Sequence, residues 1–259
     1  MNLAFLGGLD LKKAMTRCAF VMARLLCLGI AKVAFRLHVE GQEFIPHSGP
    51  VILASNHVSY IDPIIIEIAV RRPIRFMAKK ELFGSPLFGW LIRRCGAFPV
   101  NRDRANLQAF KQAISLLEAG EVVAIFPEGT RGDGIHLRPA KSGIGLIAAR
   151  TGAPVIPVFH TGTGKVFPRG AWLPRPGRIT IKFGMPCRFA GGQANRGEDQ
   201  IATFSRIIME KIAGLQASSD PDCRLRDDPL YATGEALLTK NEGFLNPHEE
   251  GGYFIKRRN

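Results

Sequence analysis

Two residues in this chain stand out for proton chemistry: His57 and Asp62, separated by four residues. Imidazole has the ordinary pKa nearest neutrality, so it can take up and return a proton at physiological pH. A carboxylate bonded to one ring nitrogen fixes the tautomer and leaves the other nitrogen as a base. On one regular helix the two would lie about 140° apart, too far round to meet. A turn must therefore separate them, and the flanking sequence supplies one. Pro50-Val51-Ile52-Leu53-Ala54-Ser55 reads as a short buried strand, and the apolar run from Pro63 to Val70 as a helix. Asp62 before Pro63 fits an N-cap followed by proline at the first helical position. The pair then sits in a strand-to-helix turn, where the carboxyl end of a strand opens into a crevice. The plainer alternative is that Asp62 only caps a helix and His57 only bonds a turn.

Cationic side chains follow other strand candidates. Val122 to Phe126 is a continuous apolar run, as in a central parallel strand, and leads into Pro127-Glu128-Gly129-Thr130-Arg131. Gly129 permits positive φ or close backbone approach, and the planar fork of Arg131 suits a phosphate. Arg102 follows the short strand candidate that starts at Gly96, and Lys79 and Lys80 follow the strand Ile74 to Ala78. These cations are candidates for an anionic group; the alternative is surface solubility or salt bridging. Glu128 is equally suited to pairing with an arginine and to touching a substrate. His160, after the apolar run Val155 to Phe159, is read as structural, and Ser59 and Tyr60 as turn and packing residues.

The elements holding these groups alternate. Strand candidates at 36–40, 50–55, 74–78, 96–100, 122–126, 155–159 and 179–183 are interleaved with helices at 63–70, 86–94, 106–119, 142–151 and 200–215. That order predicts an α/β fold with a mostly parallel central sheet flanked by helices. Residues 39–216 are expected to form that domain. Before it, residues 10–38 place Lys13, Arg17, Arg24, Lys32 and Arg36 within roughly 140° of one another on a helical wheel. Phe20, Val21, Leu25, Leu26, Leu28, Ile30, Val33 and Phe35 fall on the remaining face. The segment 1–38 is thus read as an amphipathic, membrane-associating helix or helix pair, with two alternatives: its apolar face packs on the protein's own core, or it makes a tilted span with snorkelling arginines. From about Ala217 to Asn259 periodicity fades, and a loosely ordered tail is expected.

Composition narrows the function. A 46% hydrophobic content excludes a disordered chain. The net charge of +13 calls for an anionic partner. Five scattered cysteines, with no Cys-x2-Cys pair, suggest neither a disulfide framework nor a zinc site.

Four blocks occur in order: Asn56-His57-x4-Asp62, Gly96-x-Phe98-x3-Arg102, Phe126-Pro127-Glu128-Gly129-Thr130-Arg131 and Val155-Ile156-Pro157-Val158. Together they resemble the four motifs of the glycerolipid acyltransferase family, most like its bacterial 1-acyl-sn-glycerol-3-phosphate acyltransferases, over roughly residues 35–215. Pro99-Val100-Asn101 departs from the apolar pair and Asp that many members carry before the arginine. The resemblance implies catalysis by His57 and Asp62. It implies phosphate binding by Arg102 and Arg131 with Lys79 or Lys80 assisting, and an acceptor pocket shaped by Glu128, Gly129 and Thr130. It also implies lysophosphatidic acid as acceptor and an acyl-CoA or acyl-carrier-protein thioester as donor. The expected place is the cytoplasmic face of the inner membrane, against an anionic lipid surface. No metal or cofactor is expected, and no Gly-x-Ser-x-Gly elbow suggests an acyl-serine. Other readings stay open on sequence alone: a different acceptor (glycerol 3-phosphate, another lysophospholipid or a lyso-aminolipid), or a non-enzymatic basic protein on membranes or nucleic acid. The last has only charge in its favour, since aromatics are 8% and no recognition motif occurs.

Overall fold

The computed structural model describes residues 22, 28–94, 96–100, 106–190 and 197–218. Arg102, most of the N-terminal amphipathic segment and the tail beyond residue 218 lie outside the described residues.

Among the described residues seven strands form one sheet: β1 (His38–Glu40), β2 (Val51–Ser55), β3 (Ile74–Lys79), β4 (Ala97–Val100), β5 (Val122–Ile125), β6 (Val155–Thr161) and β7 (Thr180–Phe183). Their spatial order is β1-β7-β6-β2-β5-β3-β4. The five strands from β6 to β4 are mutually parallel. β7 runs antiparallel to β6, and β1 runs parallel to β7, so one edge of the sheet is reversed. β2 lies between β6 and β5 and is buried at all five positions. Its unbroken apolar run follows from that place, because helices cover both faces of the sheet.

Alternation along β2 divides the core. Val51 and Leu53 face α1 (Asp62–Ala69) through Ile66 and Ala69, beside Ile92 of α2 (Pro86–Arg94). Ile52 and Ala54 face the other layer. There Ala113 and Leu117 of α3 (Asn106–Glu118), Ile144, Ile147 and Ala148 of α4 (Gly143–Thr151), and Phe204, Ile208 and Ile212 of α6 (Glu198–Ala217) pack together. A one-turn helix, α5 (Thr163–Val166), follows β6. Leu107, at the start of α3, is 61% exposed.

Helical residues 28–33 end in front of β1. Ala31, Leu28 and Phe35 pack on Ile65, Ile68, Val166 and Ile179, whereas Ile30 and Val33 face outward. The apolar face read from the sequence is therefore split here, one part on the core and one part exposed. Among the described residues no helix is long and apolar enough to cross a membrane.

Candidate active site

The turn between β2 and α1 does bring His57 and Asp62 together. His57 Nδ1 lies 2.8 Å from Asp62 Oδ2. The same oxygen accepts the backbone N–H of Val58 at 2.6 Å and of Ser59 at 2.7 Å. Asp62 is the first residue of α1 and makes no capping bond to its own helix. The expected N-cap is thus corrected: the carboxylate reaches back into the preceding turn, where donors for one oxygen already converge. Its side chain is fully buried, whereas that of His57 keeps 18% exposure. Burial pushes the Asp62 carboxyl upward. The nearby His160, the His57 bond and the Ser59 N–H outweigh it and hold the group below the usual carboxylate range. A buried carboxylate is tolerable only with such donors around it. With Nδ1–H donated to Asp62, His57 Nε2 is the nitrogen left to accept a proton.

β6 supports the turn from the other side. Asn56 exchanges two hydrogen bonds with the His160 backbone, donating to its carbonyl at 3.0 Å and accepting its N–H at 2.9 Å. His160 Nε2 donates to the Asn56 carbonyl at 2.9 Å and lies 3.6 Å from Asp62 Oδ2. That tautomer leaves Nδ1 to accept the Thr163 hydroxyl at 3.3 Å. Complete burial lowers the His160 pKa, and the Asp62 charge offsets this only in part. The sequence reading left His160 structural and did not connect it to Asp62. Its place at the end of a strand adjacent to β2 could have suggested the link.

The segment after β5 closes over His57. Phe126 stacks on the imidazole, with ring centroids 4.1 Å apart. Glu128 is buried; one oxygen accepts the His57 N–H at 3.1 Å and the other the Arg138 N–H at 3.3 Å. Burial raises its pKa, against the pull of these two bonds. Gly132 N–H donates to the His57 carbonyl at 2.7 Å. Gly129 has φ +71°, and a Cβ there would lie 2.8 Å from Lys141 Cε, so the backbone and that lysine need a glycine between them. Lys141 is a cation near the site that the sequence reading missed. Arg131 stacks its guanidinium 3.6 Å from the Tyr60 ring centroid. Thr130 is exposed. Lys79 ends β3, on the same sheet edge, with Nζ 3.8 Å from Glu81; Lys80 is exposed in the turn that follows. The structure therefore gathers His57, Asp62, Glu128, Gly129 and Arg131, and leaves the two lysines one strand farther out, beyond β5.

The result is a recess at the carboxyl edge of the sheet, lined by His57, Val58, Glu128, Ile135, Leu137 and Phe159. It sets an imidazole, bonded to a buried carboxylate, beside an apolar wall.

Comparison with known proteins gives this arrangement relatives. The family profile described as Acyltransferase matches residues 36–161. A 1-acyl-sn-glycerol-3-phosphate acyltransferase of Bacillus subtilis is 29% identical, over 75% of this chain and 97% of that protein. A chloroplastic enzyme of the same name from Brassica napus is 35% identical over 53% of this chain. The match spans only 40% of that protein's length, and 39% of its Arabidopsis thaliana counterpart. The crystal structure of the 1-acyl-sn-glycerophosphate (LPA) acyltransferase PlsC from Thermotoga maritima superposes with a TM-score of 0.62 at 28% identity, covering 82% of this chain and 89% of that one.

Proposed function

We propose that this chain is a member of the acyltransferase family whose profile it matches over residues 36–161, and that it transfers a fatty acyl group from a thioester to the free hydroxyl of 1-acyl-sn-glycerol 3-phosphate. The observation that carries the reading is the 2.8 Å bond between His57 Nδ1 and the buried Asp62, which leaves Nε2 without a hydrogen-bond partner among the described residues. The names of the relatives support the acceptor.

The chemistry follows from the groups. An alcohol ionises far above neutral pH, so its attack on a thioester needs a positioned base, worth on the order of 10²–10⁴ in rate. His57 Nε2 takes the hydroxyl proton as the oxygen bonds to the thioester carbon. Asp62 holds the ring and stabilises the imidazolium that forms. The C–S bond then breaks, and the imidazolium returns its proton to the departing thiolate. Products are phosphatidic acid and the free thiol of coenzyme A or acyl-carrier protein. No step uses a metal, a cofactor or a covalent acyl-enzyme; both substrates are bound together. Arg131, with Arg102, binds the acceptor phosphate, and Lys79 and Lys80 contribute long-range attraction. Glu128 acts through the His57 backbone N–H that it accepts, and Gly129 keeps room for Lys141. The setting is the cytoplasmic face of the inner membrane, with the N-terminal segment against anionic lipid.

The test is an assay of the purified protein with lysophosphatidic acid and either an acyl-CoA or an acyl-carrier-protein thioester. Phosphatidic acid should form, and His57→Ala should abolish turnover while folding and liposome binding persist. Activity confined to an acceptor without phosphate would remove the role of the arginines. Full activity in His57→Ala would remove the mechanism.

A further inference from the structure

Trp172 is 96% exposed, more than any other large hydrophobic side chain among the described residues, and its neighbour Leu173 is 77% exposed. We propose that the proline-rich loop 168–178 is a membrane-contacting surface separate from the N-terminal segment, and that Trp172 and Leu173 at its tip enter the interface of an anionic bilayer.

The tip is held out by its own backbone. Ala171 N–H donates to the Pro168 carbonyl at 3.1 Å, and Arg175 N–H to the Val166 carbonyl at 2.7 Å. Pro168, Pro174 and Pro176 restrict what remains. Gly177 N–H donates to the Ala34 carbonyl at 3.1 Å, which ties the loop to the helical residues bearing the exposed Ile30 and Val33. The loop is therefore anchored beside a segment that also exposes apolar side chains.

Charge selects the partner. Between Asp133 and Glu198 the chain has no Asp or Glu, and Lys165, Arg169, Arg175 and Arg178 are all exposed around the tip. An exposed indole in a segment whose charged residues are all cationic suits the headgroup region of a bilayer, where the ring is amphipathic and each cation attracts anionic lipid. A convex tip of two apolar residues offers no groove for a protein anchor. The loop is also coupled to the site: the Arg169 guanidinium donates to the carbonyl of Arg131 at 2.8 Å, and the Ser59 hydroxyl to that of Phe167 at 2.8 Å. A bilayer under Trp172 would lie beside the turn that carries His57. Membrane contact here needs no turnover, so it stands or falls apart from the catalytic reading.

The experiment uses the full chain with Trp90→Phe, which leaves Trp172 as the only indole, and vesicles of phosphatidylcholine with or without phosphatidylglycerol. Trp172 emission should shift to the blue on the anionic vesicles and be quenched by brominated acyl chains. Trp172→Ala with Leu173→Ser should weaken vesicle binding at least about tenfold. The same variant should retain turnover on detergent-dispersed lysophosphatidic acid, which shows that it folds. Unchanged emission, or vesicle binding equal to that of the parent, would overturn the proposal. So would a Trp172 response to acyl-carrier protein alone.

Discussion

At the scale of single residues, Glu128 shows how position decides role. The sequence left it between substrate contact and structural partner. The structure gives both of its oxygens to backbone N–H groups, one of them that of His57. Gln at this position offers one acceptor and one donor, so one of the two N–H groups would face an NH2. Glu128→Gln should lower kcat roughly tenfold, because the His57 turn loses an anchor, while KM for lysophosphatidic acid changes little. Steady-state kinetics decide the matter: a raised KM with unchanged kcat would make Glu128 a direct acceptor contact instead. His57 and Asp62 were legible because a base and an acid at that spacing need a turn, and strand and helix signals flank one. The Asn56–His160 bracket was not, because it joins residues 104 apart in sequence. Only the adjacency of β2 and β6 brings them together, and no local pattern encodes that adjacency.

At the scale of elements, the parallel strands and their helices could be read because buried strands and amphipathic helices have distinct periods. The reversed edge was less visible, yet its cause lies in the sequence. A parallel return from β6 needs a crossover of a dozen or more residues, usually a helix. The link to β7 contains Gly162, Gly164, Gly170 and Gly177 and three prolines, and manages only the single turn of α5. β7 therefore pairs antiparallel. Contacts between helices were wholly hidden. Gly145 of α4 lies so close to α6 that a Cβ there would fall 2.3 Å from the Ile201 carbonyl oxygen and 2.7 Å from Ser205 Oγ. That hydroxyl accepts the Gly145 N–H at 3.1 Å and donates to the Ile201 carbonyl at 2.8 Å. Gly145→Ala must push the helices apart or break this link, at a cost of about 1–3 kcal/mol. Urea unfolding should show a lower midpoint with an unchanged slope, and kcat per folded molecule should stay as it is, since the contact joins α4 to α6 and makes no bond to the His57 turn. A midpoint equal to that of the parent would mean that the two helices have slack there.

For the whole molecule, the response to acid is concentrated where β2, β5 and β6 meet, since Asp62, Glu128 and His160 are all buried there. Their signs differ. Asp62 is held below its ordinary value of about 3.9, so its contribution is complete above that pH and is lost as pH falls through the native value. His160 is also held low, by burial. Between its native value and about 6.5 the unfolded imidazole binds a proton that the folded one does not, so stability rises with pH across that window. Glu128 is raised, so it opposes this trend between about 4.3 and its native value. Denaturant unfolding should therefore show stability climbing as pH rises toward about 6.5, by no more than about 1.4 kcal/mol per pH unit for one proton. His160→Gln removes that proton. It should be less stable at every pH, because the Asn56 and Thr163 bonds are disturbed, but its curve over this window should lose the climb. An unchanged slope in His160→Gln would place the titrating group elsewhere. A flat parent curve would mean that Glu128 cancels His160, and Glu128→Gln would then restore the climb.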